Sequence, residues 1–251
     1  MQLVYKLVYD MVDETVDDSV YKLVYSMKVI FYKENKNIRK DIEPLFVSAF
    51  PKEERPEPDY FFSSFDKENN HLYGFYDKDT FIGFASVIIY KHICYIFFLA
   101  IEEKYRNQGY GSEVLKEIRN IYKDYVILLA YEYVDPSYPD YENRKRRERF
   151  YLNNGFKKNP LITNEFGVIF QTAYIGKKTV SFEEYQEIFK CGFGEFTLKH
   201  LKEIKQYKTK CDYCLTEFEY LDTDIDYRPW IRHGFVMCPK CGKQVKLNQD
   251  K

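Results

Sequence analysis

The sequence predicts an α/β fold followed by a small four-cysteine module, and three observations carry that reading. From Met27 onward, apolar runs of period two alternate with stretches of helical period. The strand-like run Tyr95–Ile101 leads into the glycine-punctuated segment Arg106-Asn107-Gln108-Gly109-Tyr110-Gly111-Ser112 and then into a helical stretch. Cys211-x-x-Cys214 and Cys238-x-x-Cys241 follow, with 23 residues between the two pairs.

Residues 1–26 stand apart from the rest. Val4-Tyr5-Lys6-Leu7-Val8-Tyr9-Asp10-Met11 recurs as Val20-Tyr21-Lys22-Leu23-Val24-Tyr25-Ser26-Met27, a duplication with an acidic spacer. Two copies are too few for a repeat architecture, which needs about three units to bury a core. One reading is an alternating strand for pairing with a partner. The other, adopted here, is a poorly ordered extension ahead of a translation start at Met27.

The elements then follow in order. Lys28–Tyr32 reads as a strand, and Ile38, Ile42, Leu45, Phe46 and Ala49 fall at helical spacing up to the stop at Phe50-Pro51. A charged turn at Glu53-Glu54-Arg55-Pro56 precedes a short helix over Tyr60–Phe65. His71–Tyr76, Thr80–Tyr90 and His92–Ile101 read as three consecutive strands, the first two joined by Asp77-Lys78-Asp79. A helix over Gly111–Tyr122 and strands over Val126–Val134 and Val168–Tyr174 come next. Ser181-Phe182-Glu183-Glu184 opens a further helix with a capping-box pattern. The expected organisation is an extension (1–26), a main domain (27–194), a linker (195–208) and the cysteine module (209–248).

A strand that ends in a glycine turn and opens a helix directs several backbone N–H groups one way, at the positive end of the helix dipole. Gly109 and Gly111 permit close approach of an anion, and Ser112 is the expected N-cap. The segment lacks the Gly-Lys-Ser/Thr ending of a P-loop and the three-glycine spacing of a dinucleotide fold. By itself it is also compatible with an ordinary strand-to-helix turn.

In this setting the Arg-x-x-Gly-x-Gly pattern resembles the acetyl-CoA loop of the GNAT superfamily of N-acetyltransferases. Phe150-Tyr151-Leu152-Asn153-Asn154-Gly155-Phe156 is similar to the Phe-Tyr-x-x-x-Gly-Phe stretch that closes that superfamily's last conserved helix and opens the next strand. The resemblance covers about Met27 to Gly194. It implies the acyl-CoA N-acyltransferase fold, a mixed twisted sheet with helices on both faces, and transfer of an acetyl group from acetyl-CoA to a primary amine in a ternary complex. It further implies that Arg106, Asn107, Gln108, Gly109, Tyr110, Gly111 and Ser112 hold the coenzyme. Leu99, Ala100 and Ile101 would meet the pantetheine arm through their backbone.

Such a transfer needs a neutral amine, although a lysine-like nitrogen with a pKa of about 10.4 is mostly protonated at neutral pH. Glu132, among the apolar neighbours Leu128, Leu129 and Ala130, is the candidate base, because burial would raise its pKa. The rival reading is a solvated glutamate at a strand end. The resemblance also implies that Tyr151 protonates the departing thiolate; a purely packed aromatic is the alternative. Family members place an asparagine and an alanine where this chain has Arg144 and Arg147. The run Arg144-Lys145-Arg146-Arg147 with Arg149 is expected to be mostly a solvated face. Glu53 and Glu54 lie where substrate-binding helices sit in such folds and would suit a cationic amine.

Four thiolates in two C-x-x-C pairs have the spacing of two zinc knuckles. Cys211, Cys214, Cys238 and Cys241 are therefore the expected ligands of a structural Zn2+, and full sulfur ligation leaves no open catalytic position. The module resembles a zinc ribbon, with strands at Phe218-Glu219-Tyr220 and Gly234-Phe235-Val236. His200 and His233 are spare, and Cys94 and Cys191 read as small buried residues.

A net charge of −1 gives no global attraction to nucleic acid or to an anionic membrane. The 25 tyrosines and 21 phenylalanines are read as strand-forming rather than as a stacking surface for single-stranded nucleic acid. No spanning segment or signal peptide is evident, so a cytoplasmic location is expected. Asp222, Asp224 and Asp226 oppose Lys240, Lys243 and Lys246, which favours a structural or protein-docking role for the module. The competing functional reading is a protein- or nucleic-acid-binding zinc ribbon carried on a non-catalytic, coenzyme-sensing scaffold.

Overall fold

The computed structural model describes residues 27–52, 55–227 and 233–247. The duplicated segment and the Glu53-Glu54 pair lie outside the described residues. The chain divides into two compact units between Lys202 and Glu203.

The first unit contains β1 (Met27–Phe31), α1 (Arg39–Ala49), α2 (Pro58–Ser63), β2 (Asn70–Asp77), β3 (Thr80–Tyr90), β4 (Ile93–Ile101), α3 (Tyr110–Ile121), β5 (Val126–Glu132), α4 (Tyr141–Asn153), β6 (Lys157–Glu165), β7 (Val168–Ile175) and α5 (Phe182–Phe193). The strands form one mixed sheet in the order β1-β2-β3-β4-β5-β7-β6, with β8 (Leu201–Ile204) beside β6. Only the β4–β5 pair is parallel among the pairings from β1 through β7. Helices cover both faces, as the sequence predicts: α1, α2 and α5 supply Phe46, Phe61 and Phe189 to one apolar cluster. On the other face α3 and α4 supply Val114, Ile118 and Phe150. Each such buried side chain contributes about 1.5–3 kcal/mol.

The predicted capping box is present, with Ser181 Oγ accepting from the Glu184 N–H at 3.3 Å and Glu184 Oε2 accepting from the Ser181 N–H at 3.2 Å. Two expectations are corrected. The N-cap of α3 is Gly109, in the left-handed region at φ +83°, and Ser112 is the third residue of the helix. The segment 195–208 is not a bare linker: it holds a 3-10 helix over Glu195–His200, β8 and the start of β9.

The second unit contains two antiparallel hairpins, β9 (Gln206–Lys210) with β10 (Glu217–Leu221), and β11 (Phe235–Met237) with β12 (Gln244–Lys246). Its buried core comprises Cys211, Val236, Cys238 and Val245, against which Phe218, Tyr220, Ile225 and Leu247 pack. No helix among the described residues is long and apolar enough to cross a membrane.

Candidate active site and metal centre

The centre of the sheet is interrupted at one residue. Along β4, Ile93 and Tyr95 face one cluster while Cys94 and Ile96 face the other, but Phe97 and Phe98 both face the first. The register against β3 shifts at the same place, with Val87 opposite Ile96 and Ser86 opposite Phe98. Phe97 is the extra residue of a β-bulge, which bends the strand. The parallel ladder to β5 runs from Ile93–Val126 to Ile96–Leu129 and stops there. Beyond it, Leu99, Ala100 and Ile101 stay paired with β3, while Ala130, Tyr131 and Glu132 pair with β7. Between these two stretches the sheet has a split flanked by backbone edges, and the candidate pantetheine contacts lie along one of them.

The loop after β4 is held from both ends. Arg106 Nε donates to the Ile101 carbonyl at 3.2 Å, and Gln108 Nε2 donates to the Lys104 carbonyl at 2.8 Å. Tyr110 is buried, with its hydroxyl donating to Asp77 Oδ2 at 2.8 Å. Asn107 and Gly109 both have positive φ, at +60° and +83°. A Cβ added at Gly109 would meet nothing within 4 Å, so the glycine serves the backbone conformation and leaves space in front of it. The first bond into α3 is Glu113 N–H to the Gly109 carbonyl at 3.2 Å, and the preceding N–H groups of the first turn have no intrahelical acceptor. An anion fits this end of the helix.

Glu132 ends β5 and is 6% exposed. Its Oε1 accepts from Arg147 Nη2 at 2.8 Å, and its Oε2 has no hydrogen-bond partner among the described residues. Burial pushes the carboxyl above the usual carboxylate range, while the Arg147 guanidinium opposes that shift. This corrects the expectation of a mostly solvated basic face. Arg147 is buried at 3% exposure, and Arg144 turns inward to Asp140 Oδ1 at 2.8 Å and the Tyr133 carbonyl at 3.1 Å. Arg144, Arg147 and Tyr151 lie three and four residues apart, so one face of α4 lines the end of β5. Tyr151 is fully buried; its ring stacks on Tyr131 with centroids 5.7 Å apart and meets Phe156 edge-on at 5.8 Å. Glu132 and Tyr151 thus approach the same end of β5, Tyr151 by way of the residue before Glu132.

A second buried carboxyl was not singled out from the sequence. Glu165 Oε1 accepts from Thr163 Oγ1 and from the Tyr185 hydroxyl, each at 2.7 Å, and that hydroxyl is 2.8 Å from the Tyr95 hydroxyl. Burial pushes the Glu165 carboxyl up to about 7, against the pull of the two hydrogen bonds. Its sequence signal, a glutamate at the end of the β6 strand, is indistinguishable from a solvated turn residue.

In the second unit the structure brings all four predicted cysteines together, their Sγ atoms lying within 4.8 Å of one another. The Cys211–Cys241 and Cys214–Cys238 sulfur separations are both 3.6 Å. Four thiolates around Zn2+ at about 2.3 Å stand about 3.8 Å apart, so the cluster fits that ion. Each C-x-x-C pair occupies the turn of one hairpin, and the two turns match. Leu215 N–H donates to the Cys211 carbonyl and Gly242 N–H to the Cys238 carbonyl, both at 2.9 Å. Cys211 N–H returns to Thr216 and Cys238 N–H to Lys243, again both at 2.9 Å. Leu215 and Gly242 hold φ +60° and +67°. Cys94 is buried, whereas Cys191 is only partly so and meets Asn69 Nδ2 at 2.7 Å.

Residues 36–156 match a family model described as the Acetyltransferase (GNAT) family. A solved structure described as a GNAT-family acetyltransferase from Bacteroides thetaiotaomicron is similar at 23% identity and a TM-score of 0.56, covering 67% of this chain and 98% of its own. An aminoglycoside 6'-N-acetyltransferase complexed with coenzyme A is similar at 15% identity and a TM-score of 0.50, covering 61% of this chain and 98% of its own. Among curated proteins, the hydrogenase maturation factor HypA of Pyrococcus furiosus is 35% identical over 63 residues, or 25% of this chain. The chain spans 38% of that relative's length.

Proposed function

This chain carries a GNAT-family domain, and from that premise we propose that it is an acetyl-CoA-dependent N-acetyltransferase acting on a primary amine, with a structural zinc ribbon. The observation that carries the proposal is the split between β4 and β5 beside the left-handed turn at Gly109, two features that fit one elongated, anionic ligand. Acetyl-CoA supplies the acyl group as a thioester when bound. The loop Arg106–Ser112 would hold its pyrophosphate through the N–H groups at the start of α3, and the backbone of Leu99, Ala100 and Ile101 would pair with the pantetheine as an added strand does.

Glu132 is assigned the base. Burial raises its pKa, and the Arg147 guanidinium opposes that rise. The two opposed influences leave its proton affinity raised, as proton removal from an ammonium near neutral pH requires. Arg147 acts as a positioning residue by fixing Oε1, which leaves Oε2 for the amine or a relaying water. Tyr151 is assigned the proton donor to the departing thiolate, a phenol being protonated at neutral pH. Cys211, Cys214, Cys238 and Cys241 would hold Zn2+ in a closed site, so the metal stabilises the module and takes no part in the transfer.

Calorimetric titration of the zinc-loaded protein with acetyl-CoA tests the reading without knowledge of the acceptor. Micromolar binding that Gly109→Val abolishes, in a variant whose circular dichroism matches the parent, is the expected result. Absence of binding in the parent protein overturns it.

A further inference from the structure

The helix α4 begins with an aspartate whose side chain does not cap it. Asp140 occupies the N-cap position, where a carboxylate ordinarily accepts from an N–H of the first turn. Its backbone carbonyl accepts from the N–H groups of Asn143 and Arg144 at 3.0 and 3.1 Å, but its side chain makes no cap hydrogen bond. The carboxylate is turned along the helix instead. Its Oδ1 accepts from Arg144 Nε at 2.8 Å, and its Oδ2 lies 3.8 Å from Arg147 Nη2. Asp140, Arg144, Arg147 and Tyr151 follow one another at spacings of three and four residues, so they share one face of α4.

Charges alternate along this face up to the candidate base. Arg144 Nη1 donates to the carbonyl of Tyr133, the residue after Glu132, and its guanidinium lies 3.9 Å from the centre of the Tyr138 ring. Arg144 thereby ties down the chain that leaves Glu132. Arg147 Nη2 is shared unequally, at 2.8 Å from Glu132 Oε1 and 3.8 Å from Asp140 Oδ2. A guanidinium that faces a single carboxylate tends to close on both its oxygens through two parallel N–H bonds. A second carboxylate draws this one aside, in keeping with Glu132 Oε2 having no hydrogen-bond partner among the described residues.

The charged groups that act on Glu132 come from α4 and the residue before it: Arg147 and Arg144 favour its carboxylate form, and Asp140 opposes them. On β7 the residue opposite Glu132 is Phe170. The next acid of α4, Glu148, is engaged by the Tyr131 hydroxyl at 3.2 Å and by Lys158 of β6 at 2.6 Å. Loss of the Asp140 charge would leave the two guanidinium groups less compensated and free Arg147 to turn fully onto Glu132. Both effects lower the proton affinity of Glu132.

We propose that Asp140 is a positioning residue for the transfer, holding the two arginines so that Glu132 meets a guanidinium through one oxygen and keeps the other for the proton of the incoming amine. The inference rests on the acetyltransferase reading for the role of Glu132.

The test reads the proton on Glu132 directly, by 13C-carboxyl NMR of the zinc-loaded protein across a range of pH, with the resonance assigned by its loss in Glu132→Gln. Asp140→Asn and Asp140→Ser remove the charge but keep a residue able to cap a helix. Both should lower the titration midpoint of Glu132 by about half a pH unit, roughly a threefold loss of proton affinity. Asp140→Glu, which keeps the charge, should restore most of the difference, and calorimetry should find acetyl-CoA affinity unchanged in all three. An unchanged midpoint in both neutral variants overturns the proposal, whether or not the coenzyme binds. A fall that Asp140→Glu shares in full marks a disturbed helix start rather than a lost charge, and also overturns it. The expected fall in a protein that binds no acetyl-CoA overturns the acetyltransferase reading, and with it the role in transfer, while the charge coupling between Asp140 and Glu132 stands.

Discussion

The two units of this chain solve the same problem with different means. In the first, two layers of aromatic and aliphatic side chains on opposite faces of one sheet exclude water, and the fold can accommodate a bulge, a split strand pair and two buried carboxyl groups. In the second, the cluster of buried residues among those described is Cys211, Val236, Cys238 and Val245, half of it sulfur-bearing. A large apolar core tolerates local irregularity, and irregularity is where a site can form. Cysteines that close a structural metal site are committed to structure.

Metal removal should separate the units most sharply. Chelation, or Cys238→Ser, should unfold the second unit, since structural zinc contributes about 10–16 kcal/mol to modules of this kind. The melting transition of the first unit should stay in place, and a common transition for both would show that the apolar core depends on the metal. Within the first unit the largest effect falls on turnover. Glu132→Gln should lower kcat by about 10²-fold or more with acetyl-CoA affinity retained, and an unchanged kcat would remove Glu132 from the chemistry.

Glu165 sharpens the comparison from the side of electrostatics. Folding holds its proton up to a pKa of about 7, whereas the unfolded chain releases it near 4.5. Stability therefore falls as pH rises from about 4.5 to 7, and above 7 the full penalty of a buried charge is present. Glu165→Gln keeps an acceptor for Thr163 and Tyr185 and should stabilise the protein by about 3 kcal/mol more at pH 8 than at pH 4. Urea titrations at the two pH values check this; an equal effect at both would show that the carboxyl is solvated. The smallest effect belongs to the second unit, where Leu215 adopts the left-handed conformation that its counterpart Gly242 adopts without strain. Leu215→Gly should strengthen the zinc-loaded module by up to about 1 kcal/mol, read by competition with a chelator.

Features set by neighbouring residues were legible before the fold was known. The hairpin turn at Asp77-Lys78-Asp79, the capping box at Ser181 and the four cysteines follow from spacing along the chain, because turns, caps and knuckles are built from residues a few positions apart. The left-handed cap at Gly109 was legible as a glycine requirement but not as the helix boundary, since Ser112 offered an equally good local signal. Long-range pairings were not legible. Arg147 belongs to a run of basic residues that reads as a solvated face, and only the packing of α4 against β5 turns it onto Glu132.

The sequence by itself determined the order of strands and helices through α5, the glycine turn ahead of α3 and the four-cysteine cluster, each written in periods and spacings of a few residues. Tertiary structure alone decided where β4 parts from β5, and which buried carboxyl is ion-paired to an arginine and which is held by hydroxyl groups. The reason is physical: backbone geometry responds to near neighbours, whereas desolvation and charge pairing depend on groups that only the folded chain brings together.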